Sequence, residues 1–294
     1  MSNFEVIKEW DTEAGHVTYG VAQDEERKVE IPYWHGEPHD KTVDDYIIAK
    51  TGLTADLQSL KLFGNTALNH GVSFVTVGHR HKNISKAIKE NSQDVQFILD
   101  NLVPREVDVH GAGLSRGWAG ILLAGIHRPD RFSSMTAVAP AMMAPVNPLR
   151  LWRIGAEVAV ETARNPREFG GVLIDSVRTS KNRFGVTMSE MVKVGIGGFV
   201  HERVKELRDS GPLVKLHLAA SKEDCFFDPG IMERLADELA FDTFTLFCEG
   251  SAGHSALAYN SKLSSSIIAT AIQDLPDREQ YILGKQLITV KKVA

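Results

Sequence analysis

The stretch Val107-Asp-Val-His-Gly-Ala-Gly-Leu-Ser115-Arg-Gly-Trp-Ala-Gly120 decides how the rest of the chain is read. Its first half alternates apolar residues and runs into glycines, the pattern of a strand entering a tight turn. Its second half opens the Ala- and Leu-rich run from Trp118 to Ile126, the pattern of a helix. Between them lies Gly113-Leu-Ser115-Arg-Gly117. A serine on a sharp strand-to-helix turn needs small residues two positions away on either side, because a side chain there would strike the adjoining strand or helix. Gly113 and Gly117 meet that need. Such a turn lifts the Ser115 hydroxyl above a sheet and leaves N–H groups at the helix start to face a developing negative charge. The pentapeptide alone arises by chance in roughly one chain in ten of this length. The reading therefore depends on whether a base and an acid follow in suitable places.

Composition sets the frame for that question. The 294 residues are 43% hydrophobic and 24% charged, which suits one large globular α/β domain with an insertion. A formal net charge of -5 offers no footprint for nucleic acid. The start, Met1-Ser-Asn-Phe-Glu-Val-Ile-Lys8, lacks an apolar core of signal-peptide length, and no run approaches a bilayer span. Two cysteines, Cys225 and Cys248, fit a reducing compartment, so a cytoplasmic protein without membrane partners is expected.

Upstream of the elbow, residues 4–10, 16–22 and 28–34 read as three short strands with an antiparallel start, Pro32 marking a bulge or a strand end. His35-Gly36-Glu37 leads into a polar loop, then a helix over about 54–69, a strand over 72–77 and a helix over about 84–102. Downstream, strands over 134–139, 213–219 and 244–248 alternate with helices over about 229–239 and 255–271. This rhythm predicts an α/β fold, a mostly parallel central sheet with helices on both faces. It breaks over 144–211, a glycine-punctuated stretch of helix formers that reads as a helical cap insertion, leaving 1–143 and 212–294 as the core. The arginines of that stretch read as a solvated helix face. For the tail, 275–294, three fates stay open: fraying, covering a sheet edge, or pairing with a second subunit in a homo-oligomer.

In an open parallel sheet, functional residues gather beyond the carboxyl ends of the strands. Ser115, Asp224 and His254 each follow an expected strand, in the order nucleophile, acid, base. A serine hydroxyl is a poor nucleophile at neutral pH and needs a base to take its proton, a task suited to the imidazole of His254. An ionised Asp224 would fix the imidazole tautomer and stabilise the imidazolium. Asp228 is the rival acid, but with Pro229 after it the pair reads as a helix N-terminus. His35, His39 and Asp40, or His79 and His81, lack a convincing third or fourth partner for a metal site. His110 reads as a hydrogen-bonded core residue. Gly111-Ala-Gly113 lacks the full dinucleotide fingerprint.

Together these features resemble the α/β-hydrolase family over most of the chain. The matching points are His35-Gly36, the elbow Gly113-x-Ser115-x-Gly117, Arg128-Pro-Asp-Arg-Phe132 before a strand ending Ala139-Pro140, Ser221-Lys-Glu-Asp224, and Gly253-His254. The resemblance implies the α/β-hydrolase fold with a helical cap inserted after the sixth strand. It also implies an oxyanion hole made by the backbone N–H groups of Arg116 and Glu37. Pro38 has no N–H, so a shift of one residue in that loop would remove the second donor. Two features depart from many relatives: Trp118 replaces a second glycine after the motif, and Gly78-His-Arg-His-Lys82 replaces a turn of small residues.

The function expected is a serine hydrolase acting on a small-molecule carboxylic ester through an acyl-enzyme, with no cofactor and no metal. Phe226, Phe227, Trp34, Trp118, Leu151, Trp152 and Phe199 are candidate pocket walls, though each also fits plain core. Amide, thioester or carbon–carbon cleavage and acyl transfer would use the same groups. A protein that binds its ligand and turns over slowly or not at all is the alternative of a different class.

Overall fold

The computed structural model describes residues 3–41, 44–52, 57–80, 88–140, 199–209, 214–222, 224, 228–247, 278–283 and 286–292, with helical positions 156, 159, 160, 163, 264, 265 and 267–269. Strands β1 (Asn3–Asp11), β2 (Gly15–Asp24) and β3 (Val29–Pro38) form an antiparallel meander. Strand β3 pairs antiparallel with β5 (Ser73–Val77). From there β4 (Asp45–Lys50), β6 (Asp108–Leu114), β7 (Ser134–Val138), β8 (Lys215–Ser221) and β9 (Thr243–Phe247) continue the sheet in parallel. The hairpin of β10 (Arg278–Leu283) and β11 (Gln286–Lys292) adds to β9, β11 running antiparallel to it. The order across the eleven strands is β1-β2-β3-β5-β4-β6-β7-β8-β9-β11-β10.

Parallel strands covered on both faces lose the alternation of polar and apolar residues. Ser73-Phe-Val-Thr-Val77 shows this, since all five residues are buried. On one face Tyr46, Ile48, Val75, Val77, Val109, Met135, Leu216 and Leu218 meet α2 (Ile88–Asn101), α3 (Gly117–His127), α4 (Phe199–Asp209) and α5 (Pro229–Glu238). On the other, Ile47, Ala49, Phe74, Ala112, Leu114 and Ala219 meet α1 (Lys61–Asn69), its leading 3-10 turn Leu57–Leu60, and Ile267 and Ile268. The expected α/β architecture, with helices on both faces of a largely parallel sheet, is therefore observed.

Three differences from the sequence reading matter for the site. The polar loop expected after His35-Gly36 contains a complete strand, β4, wedged between β5 and β6 at the centre of the sheet. The end of the expected 144–211 insertion is α4, whose Val200, Val204 and Leu207 join the main core beside α3; the earlier part lies outside the described residues apart from four helical positions. The tail takes the second of its three fates, covering the edge of β9. Pro32 neither bulges nor ends β3, which stays paired with β2 along its length; the β5 ladder begins one residue later, at Tyr33.

Candidate active site

Ser115 occupies the turn between β6 and α3 with φ of 53°, in the left-handed region that L-residues with a side chain rarely adopt. Its N–H donates to the Val138 carbonyl at the end of β7 (2.9 Å), and its carbonyl accepts from the Trp118 N–H (3.2 Å). The flanking glycines are required by contact. A Cβ at Gly113 would lie 2.3 Å from Trp118 Cα, and one at Gly117 2.2 Å from the Lys50 carbonyl oxygen. The turn is thus closed from above by its own helix and from the side by the end of β4. Arg116 opens α3 with helical dihedrals and a side chain only 5% exposed.

The loop leaving β4 runs beside the serine. A Cβ on Gly52 would lie 3.0 Å from Ser115 Cβ and 3.6 Å from its Oγ, so Gly52 faces the serine side chain and leaves no room there for a larger residue. His79, in the loop leaving β5, is 4% exposed and holds its Nε2 2.8 Å from the Gly52 carbonyl oxygen and 3.4 Å from Thr51 Oγ1. Lys50, buried at the end of β4, donates from Nζ to the Gly78 carbonyl at 2.5 Å. Arg80 grips Asp94 of α2 with Nε at 3.0 and 2.9 Å and with its terminal nitrogen at 2.5 Å.

Asp224 follows β8 at the same end of the sheet as Ser115, with β7 between their strands. It is 8% exposed, and its N–H donates to the Ser221 carbonyl at 3.1 Å. Asp228 is engaged elsewhere: its Oδ1 accepts from the Gly230 and Ile231 N–H groups (2.8 and 3.2 Å), capping α5 with Pro229 in the first turn. His254, Cys225, Cys248, Phe226, Phe227, Leu151 and Trp152 lie outside the described residues. Among the pocket-wall candidates, Trp118, in the first turn of α3, is fully buried against Phe241, and Trp34 packs with Trp10 in the core on the α1 face.

Glu37 is not brought to the serine. Strand β3 runs antiparallel to β5, so its carboxyl end points to the far end of the sheet. Gly36 is level with Phe74, Phe74 with Ile47, and Ile47 with His110, five residues before Ser115. At about 3.3 Å per residue, Glu37 stands roughly 16 Å or more from the serine along the strand direction. It pairs with His16 in β2 instead. The segment that leaves β4 at Thr51-Gly52 lies beside Ser115 instead, and the missed strand β4 is the reason for the displacement.

The histidines at the far end make local hydrogen bonds. His35 Nε2 lies 2.7 Å from the Tyr46 hydroxyl, and His39 Nε2 lies 3.2 Å from the Thr12 carbonyl. His110 bridges Ser134 Oγ (2.8 Å) and Asp45 (3.2 Å), as a core histidine does. Among the described residues no group of three or more His, Cys, Asp or Glu side chains is placed to hold a metal ion. No described helix is long and apolar enough to cross a membrane.

No protein-family model and no curated protein matches the sequence. Solved structures do match. The fold is similar to that of a carboxylesterase from the thaumarchaeon Nitrososphaera gargenis, with TM-score 0.61, 14% identity, and coverage of 85% of this chain and 96% of that one. An S-formylglutathione hydrolase from Agrobacterium tumefaciens aligns with TM-score 0.57 and 12% identity over 92% of this chain and 100% of the other. An N-formylmaleamic acid deformylase from Pseudomonas putida S16 gives 0.56 and 12% over 90% and 100%. With a parallel sheet in this strand order and a serine turn at its carboxyl end, the chain has the α/β-hydrolase fold.

Proposed function

We propose that the protein is a serine hydrolase that cleaves carboxylic esters through an acyl-enzyme on Ser115. The observation that carries this reading is the left-handed Ser115 at the strand-to-helix turn, with Gly52 facing its side chain. A residue held in such a region costs on the order of 1–3 kcal/mol, and strain of this kind concentrates at sites of chemistry. Asp224 stands two strands along, about 10 Å at the usual strand spacing, which leaves room for one imidazole between the two side chains.

His254 fills that role. It takes the Ser115 proton as Oγ bonds to the ester carbonyl carbon, and passes it to the departing alkoxide, so that an alcohol leaves and the acyl group stays on Ser115. Water then attacks the acyl carbon while His254 takes its proton; that proton returns to Ser115 Oγ as the carboxylic acid departs. Asp224 holds the ring and stabilises its charged form. The oxyanion is met by the Arg116 N–H at the start of α3 and by a donor of the turn that begins Thr51-Gly52, which replaces Glu37 in this part. The carboxylesterase, formylglutathione hydrolase and deformylase named above support hydrolysis of an acyl bond.

The test is labelling with a fluorophosphonate, mass-spectrometric mapping of the adduct, and turnover of p-nitrophenyl acetate by the native protein, Ser115→Ala and His254→Ala. The adduct should map to Ser115, vanish in the first variant and form at least about 10³-fold more slowly in the second. A folded native protein that neither labels nor turns over ester would favour a ligand-binding protein on the same fold.

A further inference from the structure

We infer that His79 is a positioning residue that sets the oxyanion turn of the site proposed above, and the inference rests on that reading. The Gly52 carbonyl can only accept, so the His79 Nε2 at 2.8 Å is the protonated ring nitrogen and donates to it. A peptide unit is planar and trans, with its C=O and N–H on opposite sides. A carbonyl of Gly52 drawn toward His79 therefore turns the N–H of the same peptide unit, which belongs to Leu53, the other way. A Cβ added to Gly52 would lie 3.0 Å from Ser115 Cβ and 3.6 Å from its Oγ, so this peptide unit starts beside the reacting serine, and one hydrogen bond from His79 governs its orientation there. If the peptide flipped, it would present an oxygen where the tetrahedral intermediate needs a donor.

The ring is able to impose this orientation because its own loop is held from two sides. Lys50 Nζ binds the Gly78 carbonyl just before it, and Arg80 just after it is locked on Asp94, a carboxylate with no exposed surface. The loops leaving β4 and β5 are thus clasped reciprocally: β4 sends Lys50 across to the β5 loop, and the β5 loop sends His79 back to the β4 loop. Both clasping side chains are buried, so water does not compete for either bond. Nothing in the chemistry of the triad calls for a histidine here. The requirement is a rigid donor at the Nε2 position.

Two substitutions separate donor from bulk. His79→Phe keeps the ring and removes the donor; His79→Gln restores an N–H near the same place. Each is measured against native protein for the rate of phosphonylation of Ser115 by a fluorophosphonate and for kcat and KM on p-nitrophenyl acetate. His79→Phe should lower the phosphonylation rate and kcat together by about 10- to 100-fold with KM within about threefold, since a misaligned donor weakens the transition state and not substrate binding. His79→Gln should recover at least about tenfold of that loss. A folded His79→Phe that phosphonylates within about threefold of native overturns the inference, as does a loss that His79→Gln shares in full. If His79→Phe does not fold, His79→Gln decides alone: rates within about fivefold of native uphold the role, and a larger loss in a folded protein overturns it. Failure of the native protein to label at Ser115 would instead remove the hydrolase reading on which the inference rests.

Discussion

His35 shows how one buried ring couples stability to pH. Burial on β3 holds its pKa below the ordinary histidine value; the Glu37 carboxylate, 3.9 Å away, opposes this and His16 adds to it. The ring stacks on Tyr46, whose phenol burial pushes up to about 12, and its Nε2 shares a 2.7 Å hydrogen bond with the Tyr46 hydroxyl. The unfolded chain binds a proton at about pH 6.5 where the folded one does not. The contribution of His35 is therefore complete above that value and is lost as pH falls toward the depressed folded pKa. His16, raised by its hydrogen bond to Asp11, works in the opposite sense above pH 6.5, but it is exposed and screened. Urea midpoints at pH 7.5 and 5.5 should converge in His35→Gln relative to native protein; an unchanged gap would remove His35 as its source. At this scale the sequence was legible where chemistry restricts residue type. The collisions that Gly113 and Gly117 avoid follow from the shape of a strand-to-helix turn, and the capping role of Asp228 follows from the proline after it.

Among the elements, the loop leaving β5 ties the sheet to its helices. Asp94 of α2 accepts from both Arg80 and Arg27, and Arg27 also pairs with Asp24, so one buried carboxylate joins α2, this loop and the β2–β3 turn. Burial raises the Asp24 pKa, but the backbone N–H and guanidinium of Arg27 outweigh it and hold the carboxyl below its usual range. Asp94→Ala would remove the buried carboxylate that Arg80 holds most closely, leaving Glu90 at 3.8 Å, and should cost about 3–5 kcal/mol in chemical denaturation; a loss below about 1 kcal/mol would mean that Glu90 or solvent compensates Arg80. The element that escaped the sequence reading is β4. Asp45-Tyr-Ile-Ile-Ala-Lys50 is short, does not alternate, and follows the polar run His39-Asp-Lys-Thr-Val-Asp-Asp45, so it lacks the period-2 pattern of a half-exposed strand. A buried parallel strand has no need of that pattern. Losing it moved the proposed oxyanion loop one strand too early, onto Gly36-Glu37, and that single omission accounts for placing Glu37 beside the serine.

Across the whole molecule the two sheet edges are managed differently. The β1 edge is broken by a register shift between Val6 and Lys8 and carries Glu5, Lys8 and Glu9, features that discourage strand addition. At the other side β11 covers β9, whose Thr243-Phe-Thr-Leu-Phe247 has no charge of its own. A chain ending at residue 275 should expose that strand and self-associate in light scattering while Ser115 still labels; a monodisperse truncated protein would show that β9 tolerates being an edge. Strand order was not legible from the sequence, because it depends on contacts between segments far apart in the chain, whereas helix and strand periodicity is local. That order also has a temporal side. Strand β4 is flanked by β5 and β6, both made after it, while its predecessor β3 turns away to pair with β5. During synthesis the run Tyr46-Ile-Ile-Ala49 has no partner until β5 ends at residue 77, and lacks its second neighbour until residue 114 has emerged, roughly 3–13 s after β4 at 5–20 residues per second. An interior strand of the sheet is thus made before either of its neighbours, and its exposure to chaperones and to misassociation is set by the speed of translation as much as by its own sequence.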